Sequence, residues 1–480
     1  MSSEGRGKTL TKDRPKLLVV SPNWCQGWWG GGKVLSPPLS LPLLAGLTPR
    51  DVDVRLLDEN VEPVDLDAPV DWVAITAATA AAPRAYQIAD AFRERAIPVV
   101  MGGIHPTVLP DEASAHADAV VVGEAEPVWQ TVLGDLAGNR LKPRYESDGY
   151  HDLVGLPHPR RELLRADRYL TINVVQTARG CPNACTFCTV SAIFGRRYRF
   201  RPIAEVVDEL RALGGWVGFV DDNIVGNPAR AKELFEALIP LNLRWIGQGE
   251  LSMAKDPELL ALAARSGCQA MFVGLESVSA ENLRATKKSS NMGYDMGEAI
   301  RTIHKAGLEI IGSFVLGLDG DDPGVFARTA DFARRHKLVA AQFSVLTPFP
   351  GTVVHRQLEQ EGRIEDRDWS HYTMSNVVFR PRQMEAERLR EGQRATYARF
   401  YSLPSIFARS ITGRGRLLTR LLVNFSYRRL QVGKSLCKGL PSHIPVEASV
   451  GRVSGAQPSA GIKLGEVASE LAFPPKTGPG

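Results

Sequence analysis

The chain has 480 residues, 44% of them hydrophobic and 23% charged, with a formal net charge of +5. That length is too great for one ordinary core and predicts about two to three domains, while the charge is ordinary for a soluble protein and calls for no nucleic-acid partner. Six cysteines are too few for a disulfide scaffold, the polar, basic residues 1–16 lack the apolar core of a signal peptide, and the apolar run at 74–83 is too short to span a bilayer, so the expected location is the cytoplasm.

Residues 1–15 read as a flexible N-terminus. Lys16-Leu-Leu-Val-Val-Ser-Pro then has the form of a buried parallel strand opening into a turn. Val54-Arg-Leu-Leu-Asp, Trp72-Val-Ala-Ile-Thr, Pro98-Val-Val-Met-Gly-Gly and Ala119-Val-Val-Val-Gly-Glu repeat the form, with helix-like stretches such as 86–95 between them. Strand and helix alternate, which predicts a doubly wound, Rossmann-like α/β domain over 16–136 that binds ligands at the carboxyl ends of its strands. Residues 137–170, rich in proline, glycine and charge, read as a linker.

A second α/β series follows over 171–365. Its strands are expected near 171–176, 217–221, 244–247, 270–274, 309–316 and 340–345, with helices such as 203–213 and 256–266 between them. Six such units match a partial or complete parallel (β/α) barrel, whose functional groups sit on the loops after the strands. Residues 366–445 read as a C-terminal helical region. No Asp or Glu occurs between Gly392 and Val446, where ten Arg and Lys residues lie. Residues 446–480, rich in Gly, Pro, Ser and Ala, read as a disordered tail.

The chemistry concentrates at Arg179-Gly-Cys-Pro-Asn-Ala-Cys-Thr-Phe-Cys, directly after the first strand of the second series. Cys181, Cys185 and Cys188 lie on one loop that can aim all three thiols inward. Thiolates are the natural ligands of iron–sulfur clusters, usually four to a cluster, so three with no fourth nearby imply a 4Fe-4S cluster with one iron left open. The alternative is a zinc site, whose usual second Cys-x-x-Cys or Cys/His pair is missing. Cys25, Cys268 and Cys437 are scattered singly and read as incidental thiols.

The Cys-x3-Cys-x2-Cys spacing at the first strand of a barrel-like domain resembles the radical S-adenosylmethionine (SAM) superfamily over residues 165–365. The resemblance implies that the open iron chelates the amino and carboxylate groups of SAM, and that one electron from a donor such as flavodoxin or ferredoxin cleaves the sulfonium. It places Asp221, Asp222 and Asn223, after the second strand, at the methionine amino group, and Gln248, Glu250 and Glu276, after later strands, at the ribose and carboxylate. Thr189 to Pro202 contains Gly-Arg-Arg-Tyr-Arg, similar to a segment of cobalamin-dependent members. Arg199, with Arg197 and Arg201, is expected either to pair with a carboxylate or phosphate or to be part of a solvated loop.

The first unit is similar to the cobalamin-binding domains attached to many such enzymes, on Met101-Gly-Gly-Ile-His-Pro-Thr and Val122-Gly-Glu-Ala-Glu-Pro. Gly102, Gly103 and Gly123 would let backbone approach a bulky flat ligand, with Glu124 beside them. The usual Asp-x-His-x-x-Gly is missing from residues 1–150. His105 is the nearest candidate ligand but reads as a loop residue, so cobalamin is expected to lack a histidine on its lower face. A scaffold-only domain is the alternative. The aromatic, glycine-rich stretch 24–32 would cap the corrin or close on substrate, or form a loop of packed tryptophans.

The resemblance implies methylation of an unactivated carbon. Cyclisation or another rearrangement by a non-methylating relative is the alternative, and a cobalamin sensor without catalysis the second. Ser402-Leu-Pro-Ser-Ile-Phe-Ala-Arg is similar to the branch of hopanoid and bacteriochlorophyll-type methylases, which implies a lipid or polycyclic small-molecule substrate. The basic C-terminal helices then read either as a peripheral membrane contact or as a cover on the barrel with a solvated basic face. Nucleic-acid binding is not expected, and a methylthiotransferase acting on tRNA would need a second cysteine cluster.

Overall fold

The computed structural model describes residues 14–23, 34–147, 149–411 and 417–431; the stretch at 24–32, Cys25, Cys437 and the tail lie outside the described residues. In chain order the first half comprises β1 (Lys16–Ser21), α1 (Ser40–Leu47), β2 (Asp53–Asp58), β3 (Trp72–Thr76), α2 (Ala82–Glu94), β4 (Val99–Gly102), α3 (Ile104–Val108), α4 (Pro110–Ser114), β5 (Ala119–Val122), α5 (Trp129–Ala137) and β6 (Arg144–Glu146). The six strands form one parallel sheet in the order β2-β1-β3-β4-β5-β6. Along β1 the pleat sends Leu17 and Val19 to one core with Leu41, Trp129 and Leu133, and Leu18 and Val20 to another with Ile88 and Phe92. Both faces are covered, as an apolar parallel strand requires. The order reverses between β1 and β3, which opens a crevice at their carboxyl ends.

The linker reading of 137–170 needs correction. Arg144-Tyr-Glu forms β6, paired with β5, and the Tyr145 hydroxyl donates to Asp135 Oδ2 at 2.8 Å. A three-residue strand with two charged members has no apolar run to announce it.

The second half comprises β7 (Val174–Val175), β8 (Ala178–Arg179), α6 (Val190–Ile193), β9 (Arg199–Phe200), α7 (Ile203–Leu213), β10 (Trp216–Phe219), α8 (Pro228–Leu238), β11 (Arg244–Gly249), α9 (Pro257–Arg265), β12 (Cys268–Glu276), α10 (Ala280–Ala285), α11 (Met296–Lys305), β13 (Glu309–Leu316), α12 (Val325–Arg335), β14 (Ala340–Val345), α13 (Val353–Gln360), α14 (Ala386–Phe400), α15 (Leu403–Ile411) and α16 (Leu417–Gln431). Its parallel sheet runs β7-β10-β11-β12-β13-β14, and among the described residues no ladder joins β14 back to β7, so the barrel is partial. Helices α8, α9 and α11 start on Asn227, Asp256 and Asp295, whose side chains accept from the amides of Arg230, Leu259 and Glu298. Such caps satisfy helix-end donors and contribute about 1 kcal/mol each. The core between sheet and helices contains Phe219, Trp245, Met271, Phe314 and Phe343.

The C-terminal helices cover the barrel, and their described basic residues divide: Arg394, Arg399 and Arg429 are exposed, as a solvated basic face requires, whereas Arg409 and Arg420 are buried. Arg409 is 2% exposed and donates to the carbonyls of Leu338, Val339 and Phe400 and to Asn424. Arg420 pairs with Glu309, and Arg399 with Asp331. Arg399 thus ties α14 to α12, Arg409 ties α15 to the backbone just ahead of β14, and Arg420 ties α16 to β13. Beside the exposed arginines, a set of large apolar side chains is also exposed: Leu403, Phe407, Ile411, Leu417, Leu418 and Phe425.

Candidate active site

The three cysteines occupy the loop between β8 and α6, at the carboxyl end of the partial barrel. The loop is pinned from two sides: the Thr186 amide donates to Thr286 O (3.1 Å), and Thr186 O accepts from the Val354 amide (3.0 Å). Burial pushes the Cys185 thiol up to about 11 and raises Cys181 and Cys188, against the opposing pull of Lys288. Such thiols deprotonate when a metal supplies compensating positive charge. Among the described residues no three His, Cys, Asp or Glu side chains are gathered closely enough to hold a single metal ion. Thiolates that each hold a different iron of one cluster need no such convergence.

Residues from four strand ends surround this loop. Asp221 is 1% exposed, and its Oδ1 accepts from the Thr177 amide (2.9 Å) and hydroxyl (2.8 Å). That oxygen serves the backbone ahead of the cysteines, Oδ2 is a buried acceptor with no hydrogen-bond partner, and burial raises the group to about 7. Asp222, raised to about 6 by burial, is close enough to Cys181 and Cys188 for its charge to oppose their ionisation, and Asn223 follows it in the chain. Asp222 Oδ2 and Asn223 Oδ1 are buried acceptors with no hydrogen-bond partner. Leaving such atoms unpaired costs about 1–3 kcal/mol each, so they fit a bound donor such as an ammonium group. Glu250 Oε2 accepts from Asn183, inside the cysteine loop, and from Asn223, both at 2.9 Å. Gln248 is half-buried on β11, and its carbonyl accepts from the Ile224 amide.

Glu276 ends β12 with φ +62, a conformation that side-chain-bearing residues rarely adopt, beside a register shift against β13. It pairs with Lys288 (3.0 Å), and both are about nine-tenths buried. Burial alone would lower Lys288, but Glu276 holds its ammonium well above the usual range. Asn183 and Lys288, the partners of Glu250 and Glu276, escaped the sequence reading. Ala285-Thr-Lys-Lys-Ser-Ser reads as a solvated turn and carries no signal of a buried cation.

In the first half, Gly123 (φ +83) would carry a Cβ into open space, with no heavy atom within 4 Å. Gly102 also tolerates a Cβ, at 3.6 Å from Val121. Gly103 does not line a cradle: its Cβ would meet Thr76 Oγ1 at 2.8 Å and the Ala77 amide at 2.9 Å, so this glycine lets β3 and β4 close on one another. His105 is a fully buried α3 residue, which corrects its reading as a loop residue. Its Nε2 lies 3.0 Å from the Tyr86 hydroxyl and 3.3 Å from Glu112, and Trp369 Nε1 donates to the same Glu112 oxygen (2.9 Å). That network engages Nε2, while Nδ1 is buried with no hydrogen-bond partner.

Glu124 and Arg199 also depart from expectation. They pair with each other at 2.6 Å, and Arg179 donates to Glu124 at 2.8 Å. Burial would raise Glu124, but the two guanidiniums hold it below the usual carboxylate range. Both side chains are engaged within the protein rather than presented to a ligand.

The combined arrangement is a thiol triad and an open glycine turn from two different sheets, with buried acceptors beside the triad. Residues 175–333 match the radical SAM superfamily, and residues 33–133 match the B12 binding domain. The chain is 33% identical to the bacteriochlorophyllide d C-12(1)-methyltransferase of Chlorobaculum tepidum over 394 residues, covering 79% of this chain and 86% of that protein. It is 28% identical to the hopanoid C-2 methylase of Rhodopseudomonas palustris, covering 72% and 67%. Its fold is similar to that of the cobalamin-dependent S-adenosylmethionine radical enzyme OxsB, with a TM-score of 0.65 at 14% identity over 87% of this chain and 71% of that one.

Proposed function

This chain belongs to the cobalamin-dependent radical SAM methyltransferases, and from that membership we propose that it methylates an unactivated carbon of a polycyclic or lipid intermediate, with Cys181, Cys185 and Cys188 holding its 4Fe-4S cluster. The observation that carries the site assignment is the triad loop beside two buried, unpartnered acceptors, Asp222 Oδ2 and Asn223 Oδ1. When bound, the cluster, SAM and cobalamin supply one-electron cleavage of the sulfonium and a transferable methyl group, a route open to a carbon with neither an acidic proton nor a lone pair.

The chain's own residues bind, orient and exclude water. Asp222 and Asn223 accept from the methionine ammonium, and Glu250 holds Asn223 and the cysteine loop in register through Asn183. Lys288, ion-paired with Glu276, would supply a buried cation to a carboxylate bound in the same pocket. Gly123 gives the corrin room at the end of β5, in a first unit that we extend from residue 16 to β6. Gln248 and Gly102 line the approach in this reading.

The substrate class follows the two relatives, which are named for bacteriochlorophyllide and hopanoid methylation. The exposed Leu403, Phe407, Ile411, Leu417, Leu418 and Phe425 support a peripheral contact with a membrane that holds such an acceptor. No helix among the described residues is long and apolar enough to cross one. A cytoplasmic location and a flavodoxin- or ferredoxin-type electron donor complete the reading.

Anaerobic reconstitution followed by dithionite-driven SAM cleavage tests it, in the wild type and Cys185→Ala, with and without cobalamin. Cleavage that needs Cys185 and rises with cobalamin is expected. Cleavage indifferent to cobalamin would point to a reaction without methyl transfer, and a wild type that takes up no iron would overturn the assignment of the triad.

A further inference from the structure

One buried ion cluster joins the two halves at the loops assigned to the cofactors. Glu124 and Glu126 follow Gly123 at the end of β5. Arg179 Nη1 donates to Glu124 Oε1 (2.8 Å) and Nη2 to Glu126 Oε1 (2.5 Å), with all three side chains only 4–6% exposed. The second oxygen of Glu124 accepts from Arg199 Nη1 (2.6 Å) and from the His151 amide (2.9 Å).

Arg179 and Arg199 are also direct cross-strand partners in the antiparallel ribbon of β8 and β9. Like charges directly opposite one another destabilise a ribbon, and a two-stranded ribbon is marginal by itself. Glu124 accepts from both guanidiniums and so converts their repulsion into a bridge. Its effect reaches further than the ribbon, because β8 runs straight through Gly180 into Cys181.

We propose that Glu124 is a positioning residue that clamps the β8–β9 ribbon, and with it the cysteine loop, to the Gly123 turn, so that the two cofactor loops are held as one unit. This rests on Cys181, Cys185 and Cys188 being the cluster ligands. Glu124 touches none of them, and it acts through Arg179 and Arg199.

The test is the rate of iron loss to a chelator from the reconstituted full chain under argon, followed by visible absorbance, together with the rate of cobalamin release. In Glu124→Gln, iron loss is expected to accelerate about tenfold, the scale of one buried charged hydrogen bond, and cobalamin release accelerates with it. In Glu124→Gln/Arg199→Gln, which removes one of the two opposed cations, iron loss returns toward the wild-type rate. Faster cobalamin release with wild-type iron retention in Glu124→Gln would overturn the clamp and leave Glu124 a local residue of the first half. A double variant that loses iron as fast as the single one would overturn the electrostatic account. A wild type that holds no iron would overturn the cysteine assignment and the clamp together.

Discussion

Lys288 Nζ donates to Glu276 Oε1 across 3.0 Å, on a residue whose backbone sits at φ +62. The pair lies next to the thiol triad, and Lys288 is the cation that most favours the Cys185 thiolate.

Lys288→Met leaves Glu276 buried without its counter-charge, and breaking such a pair from one side costs about 3–5 kcal/mol. Glu276→Gln keeps an acceptor for Lys288 and is expected to cost less. Denaturant unfolding of the iron-free protein under anaerobic conditions measures both. Equal losses below about 1 kcal/mol would mean that solvent already screens the pair.

Gly103 and Gly123 both have positive φ but opposite surroundings. Gly103→Ala pushes a methyl into Thr76 and Ala77 and is expected to lower stability by about 1–3 kcal/mol. Gly123→Val meets open space, so its larger effect falls on cobalamin, with binding weakened about tenfold or more, on top of roughly 1 kcal/mol of backbone strain. Thermal unfolding and a spectrophotometric cobalamin titration separate the two. Undiminished cobalamin binding by Gly123→Val would remove that turn from the corrin site.

Glu124 has its folded pKa held below the ordinary 4.5, so the folded chain binds fewer protons there than the unfolded chain. Its contribution to stability is therefore complete above the ordinary carboxyl range and is lost as the pH falls through the depressed folded value. Unfolding free energies between roughly pH 3 and 6 should fall on the acid side more steeply in the wild type than in Glu124→Gln. Parallel curves would contradict this assignment.

Arg409 reaches three backbone carbonyls and lies 3.8 Å from the Phe400 ring centroid. Lysine cannot reproduce a planar fork with that many donors. Arg409→Lys is expected to destabilise by about 2–4 kcal/mol and to release α15 and α16 to limited proteolysis. Wild-type protease resistance would show that the helices are held by their apolar faces alone.

The fold was legible in the sequence wherever the signal was contiguous. Lys16-Leu-Leu-Val-Val and Glu309-Ile-Ile-Gly-Ser-Phe-Val-Leu announce buried strands, and the cysteine spacing marks the site loop within eight residues. What stayed hidden depends on partners remote in sequence. Glu124 and Arg199 looked like cofactor contacts, because nothing near either shows that they meet each other across 75 residues. Arg409 and Arg420 looked like part of a charged surface, because a composition bias does not reveal that one reaches the carbonyls of Leu338 and Val339 and the other Glu309. His105 looked like a loop residue because the proline that follows it also suits the first turn of a helix.

Trp369 reaches Glu112 from 257 residues further along the chain, and its ring meets His105 edge-on at 5.4 Å. During synthesis, then, Tyr86, His105 and Glu112 can meet as soon as the first sheet folds, but the indole donor to Glu112 waits for a segment made after the whole barrel. The first half carries an unfinished polar seam through most of translation, and the seam closes only when the last barrel strand has passed, so its closure reports that both halves have been made.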